Sequence, residues 1–290
     1  MYRFKFFKIY SVLLFCCFPL GVDAHLYVAD VDEAQWTVET SPLYCRLWQG
    51  VPAYGRGIFQ NNSGERQTFD LESQKKVYDK GTATIRISPP EWIFNRPKKQ
   101  IAQTQTIKGF HPVLIEEPTV SNMLDELEAG MFPEIQHPGW YEGHWVEVQL
   151  SSVNFTAAYA DYSQCLGDLY PANFKQLERT RILFDVDKFE LKKEYFERLK
   201  LIKGYLDIDP EVVKIVVDGH TDNTGSDSYN WDLSKNRAQI VSAYLLKIGV
   251  PESKLQVRYH GERFPVAKNK SDANRQKNRR TTLRLVKNID

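Results

Sequence analysis

The chain has 290 residues, of which 42% are hydrophobic and 26% are charged, and its formal net charge is +1. Each half has enough apolar material to bury its own core, which excludes a chain too polar to fold and favours two domains of ordinary size. The charge is uneven, because residues 166–290 contain 24 Lys and Arg against 18 Asp and Glu, whereas residues 25–165 contain 11 against 18. The second half, at +6, suits an anionic ligand or polymer, and the first, at −7, suits a cationic surface or a protein.

Residues 1–24 have the pattern of a secretory signal peptide. Basic residues between positions 3 and 8 precede an apolar stretch at 11–20, and we expect cleavage after the small residue Ala24. The stretch is too short for a permanent membrane span, and no other stretch is long and apolar enough. Neither Cys16 nor Cys17 follows the small residue that a lipoprotein signal requires, so we expect no lipidation. We expect the mature chain in the periplasm.

Cleavage leaves two cysteines, Cys45 and Cys165. Two cysteines in an oxidising compartment usually pair, and this pair would close most of the first half into one loop. Two buried free thiols are the alternative.

Residues 25–166 are predicted to form a mostly-β domain. Residues 82–88 and 145–150 alternate between apolar and polar side chains, as half-buried strands do, and residues 61–64 are typical of a turn. We expect one helix at 121–129, with Ser121 as its N-cap and Gly130 just beyond its end.

Residues 167–290 are predicted to form a second domain with a different element order. Apolar periodicity predicts four strands and two helices, at 181–186 (strand), 191–205 (helix), 212–217 (strand), 233–247 (helix), 255–259 (strand) and 281–286 (strand). This β-α-β-α-β-β order predicts a sandwich of a mixed sheet with both helices on one face. The whole chain is therefore predicted to be α+β, with a domain boundary between 166 and 167.

A charged pair lies where the strand at 212–217 ends. Arg237 shares one helix face with the apolar Leu233 and Val241, and a buried guanidinium needs a partner. The loop that carries Asp222 leaves the neighbouring strand within reach. Two hypotheses fit: Asp222 and Arg237 form an internal salt bridge, or they bind a ligand that has a carboxylate and an ammonium on one carbon.

The sequence around this pair resembles the OmpA-like peptidoglycan-binding domain over about residues 181–286. The matching motifs are Thr221-Asp222-x-x-Gly225, Asn230-x-x-Leu233-Ser234-x-x-Arg237-Ala238, Gly261-x-x-x-Pro265 and Asn278-Arg279-Arg280. The resemblance implies that Asp222 and Arg237 hold the free end of diaminopimelate in the stem peptide of the wall. It also implies that Thr221, Asn230, Leu233 and Arg280 border the same pocket, and that the domain binds without cleaving. His260 departs from the family pattern beside the site.

The first half resembles a narrower family. Its motifs are Ser41-Pro42-Leu43-Tyr44-Cys45-Arg46-Leu47, then Val51-Pro52-x-Tyr54-Gly55, then Phe59. They look like the N-terminal domain of the MotY family, the wall-anchored components of sodium-driven flagellar motors, and the mature chain is identified as a member of that family. The resemblance implies that residues 25–166 join the flagellar basal body in a periplasmic ring with the partner MotX. It also implies that this ring helps to hold the PomA/PomB stator units around the rotor.

Other function classes fit the sequence less well. The scattered histidines have no compact metal-ligand spacing and no Ser or Cys has a recognisable nucleophile elbow, so we expect no enzyme activity and no cofactor, with a cell-wall hydrolase as the remote alternative. The basic stretch at 268–280 lacks interleaved aromatics and is predicted to be a solvated loop rather than a nucleic-acid site. A general envelope-spacing protein that binds peptidoglycan without a flagellar role remains an alternative.

Overall fold

The structure, a computed structural model, describes residues 24–78, 80–141 and 143–288. The signal peptide predicted at 1–24 therefore lies, apart from Ala24, outside the described residues, as do Cys16 and Cys17. The described chain has two hydrophobic cores. Apolar side chains as far as Leu169 pack into the first core, and most of those from Tyr170 onwards pack into the second.

Strands dominate the first half, as predicted. Their bounds are β1 (Ala24–Tyr27), β2 (Trp36–Ser41), β3 (Tyr44–Val51), β4 (Gly55–Asn62), β5 (Thr68–Ser73), β6 (Thr82–Ser88), β7 (Lys99–Gln105), β8 (Val113–Glu116), β9 (Phe132–Pro138) and β10 (Trp145–Gln149). They form two five-stranded sheets, ordered β1-β10-β9-β6-β7 and β2-β3-β4-β5-β8. Side chains from both sheets, such as Phe59 and Ile135, belong to one core, so the sheets enclose it together.

Two helices accompany these strands, α1 (Thr119–Glu128) and α2 (Phe155–Asp168). Gly130 takes the left-handed conformation beyond α1, at φ +81°, and so terminates the helix as predicted. The N-cap prediction was wrong, because Pro118 holds that position and the Ser121 hydroxyl donates to Glu117 from within the first turn.

The helix α2 was not predicted, and it carries one half of the disulfide. Cys165 on α2 bonds to Cys45 on β3, with the two Cα atoms 5.9 Å apart, which confirms the expected pairing. Both cysteines are buried in the first core. The bridge spans 120 residues. It connects α2, the last helix of this half, to strand β3, which pairs with β2.

The second half contains four strands and four α-helices among its described residues. Their bounds are α3 (Phe174–Leu177), β11 (Arg179–Leu183), α4 (Phe196–Ile208), β12 (Val212–His220), α5 (Asp227–Lys247), β13 (Leu255–Tyr259), α6 (Asp272–Asn278) and β14 (Arg280–Lys287). The sheet order is β11-β14-β12-β13, with β12 antiparallel to β14 and parallel to β13. The α+β class and the mixed sheet are confirmed, but α6, capped by Ser271, replaces the solvated loop predicted at 268–280.

The long helices α4 and α5 cover one face of this sheet. Alternate strand residues, such as Val217 and Leu283, share the second core with Leu199 of α4 and Val241 of α5. Near the end of β12, a Cβ atom on Gly219 would lie 2.0 Å from the backbone oxygen of Ser234, so only glycine permits this approach of strand and helix. The close packing sets α5 beside the loop that follows β12.

The two halves contact each other through backbone and side-chain hydrogen bonds. The amide of Tyr170 donates to the carbonyl of Pro42, and Gln176 Nε2 donates to the carbonyl of Gly64 at 2.9 Å. The predicted boundary between 166 and 167 falls within the last turn of α2 and stays a prediction. Across the residues that the structure describes, no helix has the length and apolar character needed to cross a membrane.

Candidate ligand-binding site

A cavity of about 260 Å³ opens where β12 ends. Asp222 stands two residues after that strand, Arg237 projects from the middle of α5, and Arg279 lies between α6 and β14. The cavity is lined by Val186, Asp187, Asp222, Thr224, Gly225, Tyr229, Leu233, Arg237 and Arg279. It therefore contains the two charged residues that the sequence singled out, Asp222 and Arg237, and two that it did not, Asp187 and Arg279.

Arg237 is fully buried and is held by backbone oxygens. Its Nε donates to Lys188 O at 2.8 Å, its Nη1 to His220 O at 3.0 Å and its Nη2 to Asp185 O at 3.2 Å. Within the described ranges, no carboxylate oxygen lies within 4.0 Å of it. A guanidinium has five N–H donors, so two remain without an acceptor in the part of the chain that the structure describes. The side chain is positioned firmly, and its charge is not neutralised by direct contact.

Burial also affects the acidity of Arg237. Desolvation lowers its pKa to about 10; the negative charge of Asp222 opposes the shift, and the positive charge of Arg279 adds to it. The group still carries its proton at neutral pH. A buried cation of this kind gains most from an incoming anion, since there is little water to screen their attraction.

Asp222 has a different partner from the one expected. Its Oδ2 accepts from Arg279 Nη1 at 2.7 Å, with both side chains only 8% exposed, and its Oδ1 accepts from the amide of Thr224 at 3.0 Å. Burial alone would raise the pKa of Asp222, but the hydrogen bonds from Arg279 and Thr224 outweigh it and lower the pKa below its usual value. The hypothesis of an internal Asp222–Arg237 salt bridge is therefore wrong. Carbonyl groups already hold the Arg237 guanidinium, whereas Arg279 contacts the carboxylate.

The expected pocket position of Arg280 is corrected in the same way. Arg280 begins β14, and consecutive strand residues point to opposite faces. Its Nη2 donates to Phe264 O at 3.1 Å, and it lines a different cavity, on the far side of the sheet from α5. Arg279 takes the place that sequence reasoning gave to Arg280. The motif Asn278-Arg279-Arg280 contained both candidates, and only the start of β14 distinguishes them.

Of the other residues predicted to border the pocket, one lines the cavity and two do not. Leu233 lines the cavity, whereas Thr221 and Asn230 are buried and do not line it. The amide of Thr221 donates to Gly261 O at 2.8 Å, and Asn230 Nδ2 donates to Glu262 at 2.8 Å, so both residues secure the loop after β13. They hold the loop after β13 in place and do not line the cavity.

Two residues at the cavity mouth were missed by the sequence reasoning. Tyr229, in the first turn of α5, donates its hydroxyl hydrogen to Asp187, and both line the cavity. Asp187 adopts a positive φ of 57°, which places this exposed carboxylate at the turn after β11. Their sequence signal was weak, since α5 was predicted to begin only at residue 233. Together they add a second carboxylate beside Asp222.

His260, which departs from the family pattern, does not line the cavity. His260 Nε2 is 2.8 Å from Asp218 Oδ1, and its ring stacks on His220 with centroids 4.9 Å apart. Among the described residues there is no group of His, Cys, Asp or Glu that could hold a metal ion.

Both halves of the chain are similar to known protein families. A family model described as the MotY N-terminal domain matches residues 27–171, and one described as the OmpA family matches residues 183–279. The sodium-type flagellar protein MotY of Vibrio parahaemolyticus is 28% identical over 265 residues, 89% of this chain and 89% of that protein. The peptidoglycan-associated lipoprotein of Haemophilus influenzae is 35% identical over 133 residues, 46% of this chain and 86% of that protein. A crystal structure of the peptidoglycan-associated lipoprotein from Burkholderia pseudomallei is 29% identical, with a TM-score of 0.35, and covers 37% of this chain and 89% of its own.

Proposed function

The chain belongs to the MotY family, and from this premise we propose that it anchors the flagellar motor to peptidoglycan without a covalent bond. One observation supports the anchor above all others. Arg237 is buried, fixed by three carbonyls and left with two N–H donors beside an open cavity. The second half is the wall-binding half, and it binds without cleaving.

The proposed ligand is the free end of diaminopimelate in the wall stem peptide. That end has a carboxylate and an ammonium on one carbon, and the two remaining donors of Arg237 suit the carboxylate. Each oxygen of Asp222 accepts one hydrogen bond and so keeps capacity for the ammonium. Asp187 adds a second negative charge at the cavity mouth. Leu233 supplies an apolar wall for the methylene chain.

The first half is proposed to make the motor contact. Residues 25–166 would join the basal body in a periplasmic ring with a MotX-like partner, and through that ring would help to hold PomA/PomB stator units around the rotor. The relative from Vibrio parahaemolyticus, named as a sodium-type flagellar protein, supports this assignment because its similarity extends over both halves. The net charge of −7 over residues 25–165 suits a protein partner with a basic surface.

Co-sedimentation of the purified chain with isolated sacculi tests the anchor. We expect Arg237→Lys to weaken binding by at least about tenfold, since lysine keeps the charge but cannot form the bidentate fork. Lys235→Ala, two residues earlier on α5, is the matched control and should bind like the wild type. Circular dichroism should show that both variants are folded. Unchanged sedimentation of a folded Arg237→Lys variant would contradict the assignment.

Deletion of the gene in its own bacterium tests the motor role separately. If the protein is a motor component, cells that lack the gene should carry normal flagella but should not swim. A general envelope-spacing protein instead predicts membrane blebs with normal swimming, and that result would overturn the flagellar role while leaving the wall anchor intact.

A further inference from the structure

The face of the second sheet that α4 and α5 leave uncovered is strongly basic. Arg179 and Arg181 of β11 lie there beside Arg280 and Arg284 of β14. The four side chains line a cavity of about 410 Å³ that also includes Asp218. Because neighbouring strand residues alternate between faces, this cavity is separate from the one that contains Asp222.

The positive charges on this face are poorly balanced. Arg179 and Arg284 are direct cross-strand partners, and like charges in such positions destabilise a sheet. Arg181 and Arg284 have no carboxylate within ion-pair distance among the described residues, and Arg179 has only Glu178 at 3.7 Å. The carboxylate of Asp218 is already occupied by Arg258 at 2.7 Å and by His260. Folding therefore gathers cations without supplying enough counter-charges.

Arg280 shows that this is more than a scatter of surface arginines. The residue is only 4% exposed, and its Nη1 and Nη2 donate to Asn278 O at 3.4 Å and Phe264 O at 3.1 Å. Its Nε is buried and has no hydrogen-bond partner in the described parts of the chain. Burial and the nearby positive charge of Arg181 together lower the pKa of Arg280 to about 10, against the opposing charge of Asp218. A buried, unsatisfied donor on a cation is costly unless an acceptor arrives from outside.

We propose that this face is a second binding site, specific for a multivalent oxyanion of the phosphate class. Arginine presents its N–H groups in a planar fork that matches phosphate oxygens, and phosphate carries more charge than one carboxylate. Arg280 would supply the fixed donor at the base, and Arg181 and Arg284 would close on the anion from the exposed side. The site uses none of the side chains assigned to the wall stem peptide, so either site can fail without the other.

Calorimetric titration of the full chain with inorganic phosphate, in about 0.15 M sodium chloride to suppress weak surface binding, tests the proposal. We expect saturable binding that the double variant Arg181→Gln/Arg284→Gln weakens by at least about tenfold. Both side chains are exposed, so this variant should fold even where Arg280→Gln does not. The double variant Lys193→Gln/Lys247→Gln removes the same charge from exposed positions elsewhere in this half and should bind like the wild type.

Three results would overturn the proposal. They are no phosphate binding, equal loss in the lysine variant, and acetate binding as tight as phosphate. Vesicles of phosphatidylcholine with and without phosphatidylglycerol then assign the source of the phosphate. Vesicle binding that the arginine variant loses indicates a lipid headgroup. Binding of phosphate alone indicates a free or polymer-borne phosphate, and both results keep the site.

Discussion

Each half of the molecule buries a carboxylate, and the two environments differ. In the first half, the fully buried Glu134 accepts from Lys98 Nζ at 2.5 Å, from Ser88 Oγ at 2.7 Å and from Arg86 Nη1 at 3.5 Å. In the second half, Asp222 is paired with Arg279, and Arg237 lies buried beside them.

Charge balance separates the two clusters. Around Glu134, two cations face two carboxylates, because Lys98 also contacts Glu147 at 3.2 Å. Around Asp222, two buried arginines face one buried carboxylate, and the exposed Asp187 at the cavity mouth contacts Tyr229 rather than either arginine, so the buried groups carry one excess positive charge. A balanced buried cluster can serve stability alone, whereas an unbalanced one with remaining donors needs an anion from outside. The same residue types therefore indicate structure in one half and binding in the other.

The largest expected effect comes from removing the disulfide bond of the first half. Replacing both Cys45 and Cys165 with serine should lower its free energy of unfolding by about 4 to 5 kcal/mol, because the bridge closes a very long loop. The second half should change by less than about 0.5 kcal/mol, since no contact there is lost. Hydrogen exchange measured by mass spectrometry distinguishes the peptides of the two halves. Equal losses in both halves would mean that they unfold together, and the contrast between them would fail.

The sequence predicted the second half better than the first for a physical reason. Its helices and strands have strong apolar patterns, and the strand predicted at 212–217 from a continuous apolar run forms the first part of β12 (Val212–His220). The helix α2 has only Phe155, Tyr162 and Cys165 buried, so its apolar side chains were too sparse to predict a helix. Parallel pairing of β1 with β10 brings together segments more than a hundred residues apart, which local pattern does not encode.

The site was predicted in part for a similar reason. Helix periodicity placed Arg237 beside the apolar stripe, and the structure confirms that it is buried. Its actual acceptors are backbone oxygens, which every residue carries, so no sequence pattern could identify them. The choice between Arg279 and Arg280 depended on strand parity, which a shift of one residue reverses.

A smaller effect concerns two buried histidines, one in each half. His137 donates from Nδ1 to Pro138 O, so its Nε2 accepts from the Tyr54 hydroxyl at 2.8 Å. Burial lowers the pKa of His137 to about 4, and it lowers the pKa of His220 in the second half to about 4 as well. Because the unfolded chain binds these protons more tightly, each half should lose about 2 to 3 kcal/mol as the pH falls from about 6.5 to about 4.5.

Substitution assigns each loss to its half. With His137→Gln the first half should lose less stability over this pH range, and with His220→Gln the second half should do so. His25→Gln, at an exposed position, is the control and should leave both profiles unchanged. The measurement is hydrogen exchange at several pH values. If His137→Gln changed the profile of the second half, the two halves would be coupled through their contact.

The smallest expected effect tests the contrast between the two carboxylates most directly. Glu134→Gln keeps the shape of the side chain but removes its charge, and Lys98 and Arg86 are exposed enough to turn to water. It should therefore lower the free energy of unfolding of the first half by about 1 to 2 kcal/mol and leave binding to sacculi unchanged.

Asp222→Asn should lower the free energy of unfolding of the second half by a similar amount, because Arg279 loses its ion pair, and should also abolish binding. Urea unfolding and co-sedimentation of both variants give the four values. Loss of wall binding in Glu134→Gln would show that the balanced cluster also serves binding, and charge balance would then not distinguish a structural cluster from a binding site.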